Sequence, residues 1–170
     1  SYREQADVVI LQTPLRLDGD EVKVLFATPS PGELKPVPWT SVRDQLNDRR
    51  ALTWLVIETV ADGPANQSAL AVRQLAQDLA FALERSVVGI CHSRAYLRCF
   101  EENPGGTAFT AHLLWELNAR RPLEAAAYTA RTKVMSSLAI QDPAIVGIPI
   151  IVRPRAREPQ DQQRPAPRRQ

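Results

Sequence analysis

The stretch ALTWLVIETVA, residues 51–61, decides the fold of this chain. It is a long apolar run rich in β-branched residues, a composition that favours a strand. Asp62, Gly63 and Pro64 follow it directly, and residues of this kind end regular structure. The stretch therefore predicts a strand that holds one carboxylate, Glu58, near its carboxyl end.

On the carboxyl side of this strand, helical and strand patterns alternate. Asn66 or Ser68 can begin a helix that reaches about Arg85. One face of this helix is apolar and carries Val72, Leu75, Ala76, Leu79 and Leu83. The sequence then predicts a strand at 87–91 and a helix at 105–120. A further helix should begin at Pro122, and a last strand is predicted at 146–154.

On the amino side, the first apolar run predicts a strand that is buried on both faces, at residues 6–12. A turn signal at 17–20 separates it from an alternating run at 21–28, which is typical of a strand with one solvated face. The proline-rich segment 29–38 predicts an irregular loop. A short helix should then begin at Thr40 or Ser41 and end at about Asp48.

This order of elements predicts an α/β fold with a mainly parallel central sheet and helices on both faces. Residues 1–154 are expected to form one domain, a length sufficient for a hydrophobic core. Residues 155–170 are rich in Pro, Arg and Gln and are predicted to be disordered, because such a composition buries too little apolar surface. The alternative for this tail is an arginine arm that touches nucleic acid or an acidic partner.

The overall composition limits the location and the class of partner. With 44% hydrophobic and 24% charged residues the chain has an ordinary globular composition, and no apolar run approaches the ~20 residues of a membrane span. The first residues lack the apolar region of a signal peptide, so a cytoplasmic location without a membrane partner is expected. Without its basic tail the chain is mildly acidic, which makes nucleic acid an unfavoured partner.

Both cysteines and one of the two histidines lie in the stretch 87–99. Successive side chains of a strand point to opposite faces, so Cys91 and His92 cannot act on each other as nucleophile and base. A distant base for Cys91 would have to be His112, and otherwise Cys91 is a small apolar core residue. The spacing of Cys91, His92, Cys99 and His112 fits no usual zinc pattern, so neither a metal nor another cofactor is predicted.

Glu58 is the most informative carboxylate of the sequence. A charge near the end of an apolar strand is costly unless it is paired or faces solvent. In an open parallel sheet, sites form at the carboxyl ends of the strands, where Glu58 is expected to lie. Glu58 is therefore either a candidate catalytic residue of a hydrolase or the point where the strand emerges into water.

The order of these patterns resembles the second half of a CHAT domain, a caspase-like cysteine peptidase module. The resemblance covers about 6–154 and is carried by ALTWLVIET, LERSVVGICH, GTAFTAHLLWELNARRPLEAAAYTART and VGIPIIVRP. The helical positions that match the family pattern are Phe109, Leu113, Leu114, Leu117, Pro122, Leu123, Glu124, Ala125, Ala126, Ala130 and Arg131. The resemblance implies a three-layer caspase-like sandwich, in which the first strand and hairpin would carry a catalytic histidine and the central strand would end in a catalytic cysteine.

The chain departs from the family at both catalytic positions. After the first strand, where the family has histidine, the sequence reads Gln12, Thr13, Pro14 and Leu15, and at the cysteine position it has Glu58. A thiolate–imidazole mechanism requires both groups. The degenerate positions Pro14 and Glu58 therefore imply a caspase-like module that has lost peptidase activity.

Two classes of function follow. The first hypothesis is a catalytically inactive CHAT-like module that binds a protein partner or companion effector, in a bacterial signalling or conflict and defence system. The alternative is an enzyme, either a divergent cysteine peptidase that uses Cys91 with His112 or a hydrolase that uses Glu58. The sequence specifies neither the partner nor the oligomeric state.

Overall fold

A computed structural model of the 170-residue chain describes residues 7–47 and 52–155. Within these ranges the chain forms seven strands and five helices. In order they are β1 Asp7–Gln12, β2 Leu15–Asp18, β3 Glu21–Ala27, β4 Leu34–Pro38, α1 Trp39–Asn47, β5 Leu52–Val60, α2 Ala65–Leu83, β6 Ser86–His92, α3 Ala95–Glu102, α4 Phe109–Asn118, α5 Leu123–Ser137 and β7 Ile150–Val152.

The strands form two sheets. The larger sheet has the order β1-β5-β6-β7, in which β1, β5 and β6 run parallel and β7 is antiparallel to β6. The smaller sheet, β2-β3-β4, is antiparallel throughout. The predicted α/β class with a mainly parallel sheet is confirmed, and the predicted strand at 51–61 is an inner strand of that sheet as β5.

Alternating side chains of β5 supply two separate cores, one on each face of the larger sheet. Leu55 and Ile57 pack with α1, α2 and the smaller sheet, whereas Val56 packs with α3, α4 and α5. All three are fully buried, and burial of each such side chain is worth about 1.5–3 kcal/mol. Helices therefore cover both faces of the sheet.

Two predictions on the amino side are corrected. β1 is not buried on both faces, because Val8, Val9 and Leu11 are only half-buried and Ile10 is exposed. The segment 29–38 is not wholly irregular, since Leu34–Pro38 forms β4. Pro36 and Pro38 fit there because β4 is an edge strand, where a missing backbone N–H disrupts no further pairing.

On the carboxyl side, one element was not predicted and one prediction is corrected. The segment after β6 turns into a helix, α3, that the sequence patterns did not predict. The last strand is three residues long instead of spanning 146–154. The preceding residues cross the end of β6 instead of pairing along it, and the N–H of Ser93 donates to the carbonyl of Ile145 at 3.0 Å.

Some predictions lie outside the described residues. These include the ends of predicted elements at Ala6, Asp48 and Ala51 and all of the predicted disordered tail beyond Arg155. None of the helices in the two described ranges combines the length and the apolar character needed to cross a membrane.

Candidate functional site

The candidate site lies at the carboxyl edge of the parallel strands. Glu58, near the end of β5, has Gln12 of β1 as its register partner on one side and Ile90 of β6 on the other. His92 ends β6 two residues beyond Ile90, so it points to the same face of the sheet. This register brings a carboxylate, an amide and an imidazole together on the face covered by α3, α4 and α5.

The carboxylate of Glu58 is only 6% exposed and accepts four hydrogen bonds. Its Oε1 accepts from Nε2 of His92 at 3.0 Å and from the hydroxyl of Tyr96 at 3.5 Å. Its Oε2 accepts from Nε2 of Gln12 at 3.0 Å and from the hydroxyl of Thr110. We call these five residues the Glu58 network.

The pKa of Glu58 reflects two opposing effects. Burial raises this pKa. The hydrogen bonds from His92, Thr110 and Gln12 together lower it by more than burial raises it. The net result is a pKa below the usual value of 4.5. Glu58 is therefore ionised at neutral pH, and its donors offset the cost of burying the charge.

The His92 side chain is completely buried, with 0% exposure, and both of its nitrogens are engaged. Nδ1 accepts a hydrogen bond from the backbone N–H of Gly147 at 3.3 Å, so the ring proton is on Nε2, which donates to Glu58. The ring stacks on Tyr96 with a centroid distance of 3.8 Å and an interplanar angle of 13°. This imidazole has no free lone pair for proton abstraction.

Tyr96 connects the network to the next helix. Its hydroxyl donates to Glu58 and accepts from the backbone N–H of Phe109, the first residue of α4, at 3.3 Å. Burial and the adjacent charge of Glu58 raise the pKa of Tyr96. The phenol therefore stays protonated, as its donor role requires.

A pocket of about 340 Å³ opens over Glu58. Its walls are mainly apolar and include Pro14, Val60, Leu97, Phe100 and Ala108. Leu97 is 57% exposed. Glu58 and Tyr96 line the pocket, whereas Thr110 and His92 do not.

The structure brings together only some of the residues that the sequence singled out. Pro14 and Glu58, the two positions at which the sequence departs from the pattern of the resembled family, both line this pocket. Cys91 does not, because its side chain packs on the opposite face of the sheet, in the core that Leu55 and Ile57 form with α2, which we call the α2 core. Burial there raises the pKa of Cys91, and a raised pKa lowers the thiolate fraction that a nucleophile needs.

The structure does not bring Cys91 and His112 together. His112 lies on α4, which packs on the face of the sheet opposite to the Cys91 side chain. Burial and the nearby charge of Lys133 lower the pKa of His112. The sheet therefore separates the thiol from this imidazole, and no nucleophile–base contact is formed.

The described residues also contain no group of three or more His, Cys, Asp and Glu side chains that could hold a metal ion. Cys91 and Cys99 are both free thiols.

Sequence reasoning missed three members of the network. His92 had a usable signal, because strand alternation separates it from Cys91 and places it on the same face as Val88 and Ile90. Tyr96 and Thr110 had none, since each reaches Glu58 from a helix more than thirty residues away in sequence.

No protein-family model matches the chain, and searches of curated proteins and of solved structures found no match either. The Glu58 network and the pocket above it are therefore the basis for assigning a function.

Proposed function

We propose that this chain is a catalytically inactive caspase-like module of the CHAT type, which acts by binding a protein partner. The observation that supports this proposal most directly is the state of Glu58. It stands where the resemblance places the catalytic cysteine of the family, and four donors occupy its carboxylate. The order of strands and helices along the chain supports the caspase-like part of the proposal.

The chemistry of the network favours a structural role over a catalytic one. A carboxylate has about four lone-pair sites, and each of those of Glu58 has a donor within the protein. A general base must direct a free lone pair at the proton that it removes. Glu58 has no such lone pair, and neither nitrogen of His92 is free.

The pocket supports a binding role. Bulky apolar residues at a partly exposed pocket act as anchor points for a partner side chain. Here Leu97 and Phe100 of α3 form one wall and Pro14 lies in another. We infer that an apolar side chain of the partner enters this pocket, within a cytoplasmic bacterial signalling or defence complex.

The first test is hydrolysis. The wild-type chain should cleave no member of a broad peptide panel faster than buffer alone. Turnover that is lost in Glu58→Gln would instead establish the alternative, a hydrolase that uses Glu58. Turnover lost only in Cys91→Ala would point to a thiol peptidase of a geometry other than the Cys91–His112 pair.

The second test is binding of a purified partner, identified by cross-linking in the native host. Leu97→Asp places a charge at the pocket mouth and should weaken the complex at least tenfold, about 1.4 kcal/mol. Phe81→Asp is the control, because Phe81 is 73% exposed but lies on α2 at the other face of the sheet. Equal affinity of both variants would contradict a binding role for this pocket.

A further inference from the structure

A second and larger cleft, of about 460 Å³, lies on the face of the sheet opposite to the Glu58 network. It is formed between α2 and the strands β6 and β7. Val72 of α2, Cys91 of β6 and Ile150 of β7 belong to its walls, and all three pack in the α2 core. Its volume falls within the range of about 300–1,000 Å³ that is typical of small-molecule sites.

The mouth of this cleft carries two exposed apolar side chains. Leu70 and Ile148 both line the cleft, and they are 51% and 69% exposed. Two large apolar side chains held in water at the entrance of an apolar cavity are typical of a surface that a ligand covers. The hydrocarbon part of a ligand would be removed from water by these side chains together with Val72 and Ile150.

The charge at the cleft is positive. Arg73 is the one charged residue among the described residues that line it. Its guanidinium is exposed and makes no ion pair with any residue in the described ranges. A planar guanidinium matches a carboxylate with two parallel hydrogen bonds, so an unpaired arginine beside an apolar cavity complements an anion that carries a hydrocarbon chain.

We propose that this cleft binds an aliphatic carboxylate. Its chain packs along Val72, Cys91 and Ile150, and its carboxylate pairs with Arg73 at the rim. This site is separate from the proposed protein-binding pocket, because the sheet lies between them. Failure of one proposal therefore leaves the other unchanged.

The thiol of Cys91 provides a reporter inside the cleft. Cys91 is half-buried in the cleft wall, so a bound chain covers its sulfur. The experiment measures the rate at which N-ethylmaleimide labels Cys91 in the full chain, by peptide mass spectrometry, at a single pH. Cys99 lies on α3 at the other face and serves as an internal control.

Octanoate should slow labelling of Cys91 and leave Cys99 unchanged. The uncharged analogue octanol should also slow labelling, but with an apparent affinity about three- to fivefold lower than that of octanoate. This is the factor expected for a partly exposed ion pair. Arg73→Gln should abolish the difference between octanoate and octanol. Arg98→Gln, which removes an exposed arginine from α3, should preserve it.

Three outcomes of the comparison between octanoate and octanol would overturn the proposal. These are no protection of Cys91 by octanoate, equal protection by octanol, and a preference for octanoate that persists in Arg73→Gln. As a second variant, Ala69→Phe places a large side chain at an exposed position of the cleft wall and should abolish protection by both probes. Full protection in Ala69→Phe would locate the ligand elsewhere and also overturn the proposal.

Discussion

The backbone N–H of Gly147 donates to Nδ1 of His92, and this 3.3 Å contact fixes which nitrogen of the imidazole faces Glu58. Because Nδ1 accepts, the proton is on Nε2 and is directed at the carboxylate. The carbonyl of the same glycine accepts from Nε of Arg131 at 2.9 Å. A helix on the surface of the sheet is thus connected through one glycine to the buried charge of β5.

Glu58→Gln should destabilise the fold by about 2–4 kcal/mol. The glutamine amide presents two N–H donors to neighbours that are themselves donors, and it removes the negative charge that they stabilise. The change in unfolding free energy can be measured by urea denaturation. Glu101→Gln, at an exposed position of α3, is the matched control and should stay within about 0.5 kcal/mol of wild type. Equal losses in the two variants would mean that the network contributes nothing to stability.

The stabilisation from Glu58 should depend on pH with a defined sign. The folded-state pKa lies below the usual 4.5, so between these two values the unfolded chain binds more protons. The contribution is therefore complete at neutral pH and is lost as the pH falls below 4.5. The difference in unfolding free energy between wild type and Glu58→Gln should shrink there by up to about 1.4 kcal/mol per pH unit.

This comparison cancels the other carboxylates with lowered pKa values, Glu116 and Glu124, because they titrate in both proteins. A difference that stays constant between pH 7 and about pH 3 would show that Glu58 keeps its ordinary pKa in the folded chain.

Arg131→Lys should loosen the segment that crosses the end of β6. The guanidinium of Arg131 donates to the carbonyls of Pro143, Val146 and Gly147, and an ammonium group cannot reproduce this fork. We expect a loss of about 1–3 kcal/mol and faster hydrogen exchange at the amides of Ser93 and Gly147. Thr132→Ala, one residue along the same helix and exposed, should leave these amides protected. Unchanged hydrogen exchange in Arg131→Lys would contradict a role of Arg131 in holding this segment against β6.

Gly147→Ala should be among the most damaging single substitutions. A Cβ at this position would lie 2.1 Å from the carbonyl oxygen of Cys91, which belongs to the backbone of β6 and cannot move aside. We expect a loss of about 3 kcal/mol or more, together with loss of the hydrogen bond to His92.

Gly105→Ala is the matched control, because a Cβ there meets no atom within 4 Å. Thermal unfolding of the two variants should therefore differ by several degrees or more. Similar midpoints would show that the crossing segment lies further from β6.

The sequence patterns predicted those elements whose signal is local. The apolar run of β5 and the apolar face of helix α2 can both be read from neighbouring residues, and both elements lie close to the predicted positions. The strand β4 was missed because its prolines are local loop signals, and only its place at the edge of a sheet makes them acceptable.

The candidate site, like the fold, could be predicted only where its signal is local in the sequence. The expectation that Glu58 must be paired or face solvent follows from electrostatics, and the structure satisfies it by pairing. The identity of the donors could not be deduced, because it depends on the register between β5 and β6 and on how α3 and α4 pack across them. Such relationships are set by tertiary packing and not by local sequence.

The pairing of β1 with β5 has a consequence for how the molecule folds. Gln12 and Glu58 are 46 residues apart, and the whole antiparallel sheet β2-β3-β4 lies between them. Closing so long a loop costs entropy before the parallel pairing returns any stability. Consecutive strands of the small sheet need only short turns, so we expect this meander to form early and to bring β1 and β5 closer. The buried carboxylate then acquires its donors from β1, β6, α3 and α4 only when these four segments have converged, which makes Glu58 a marker for the last stage of folding.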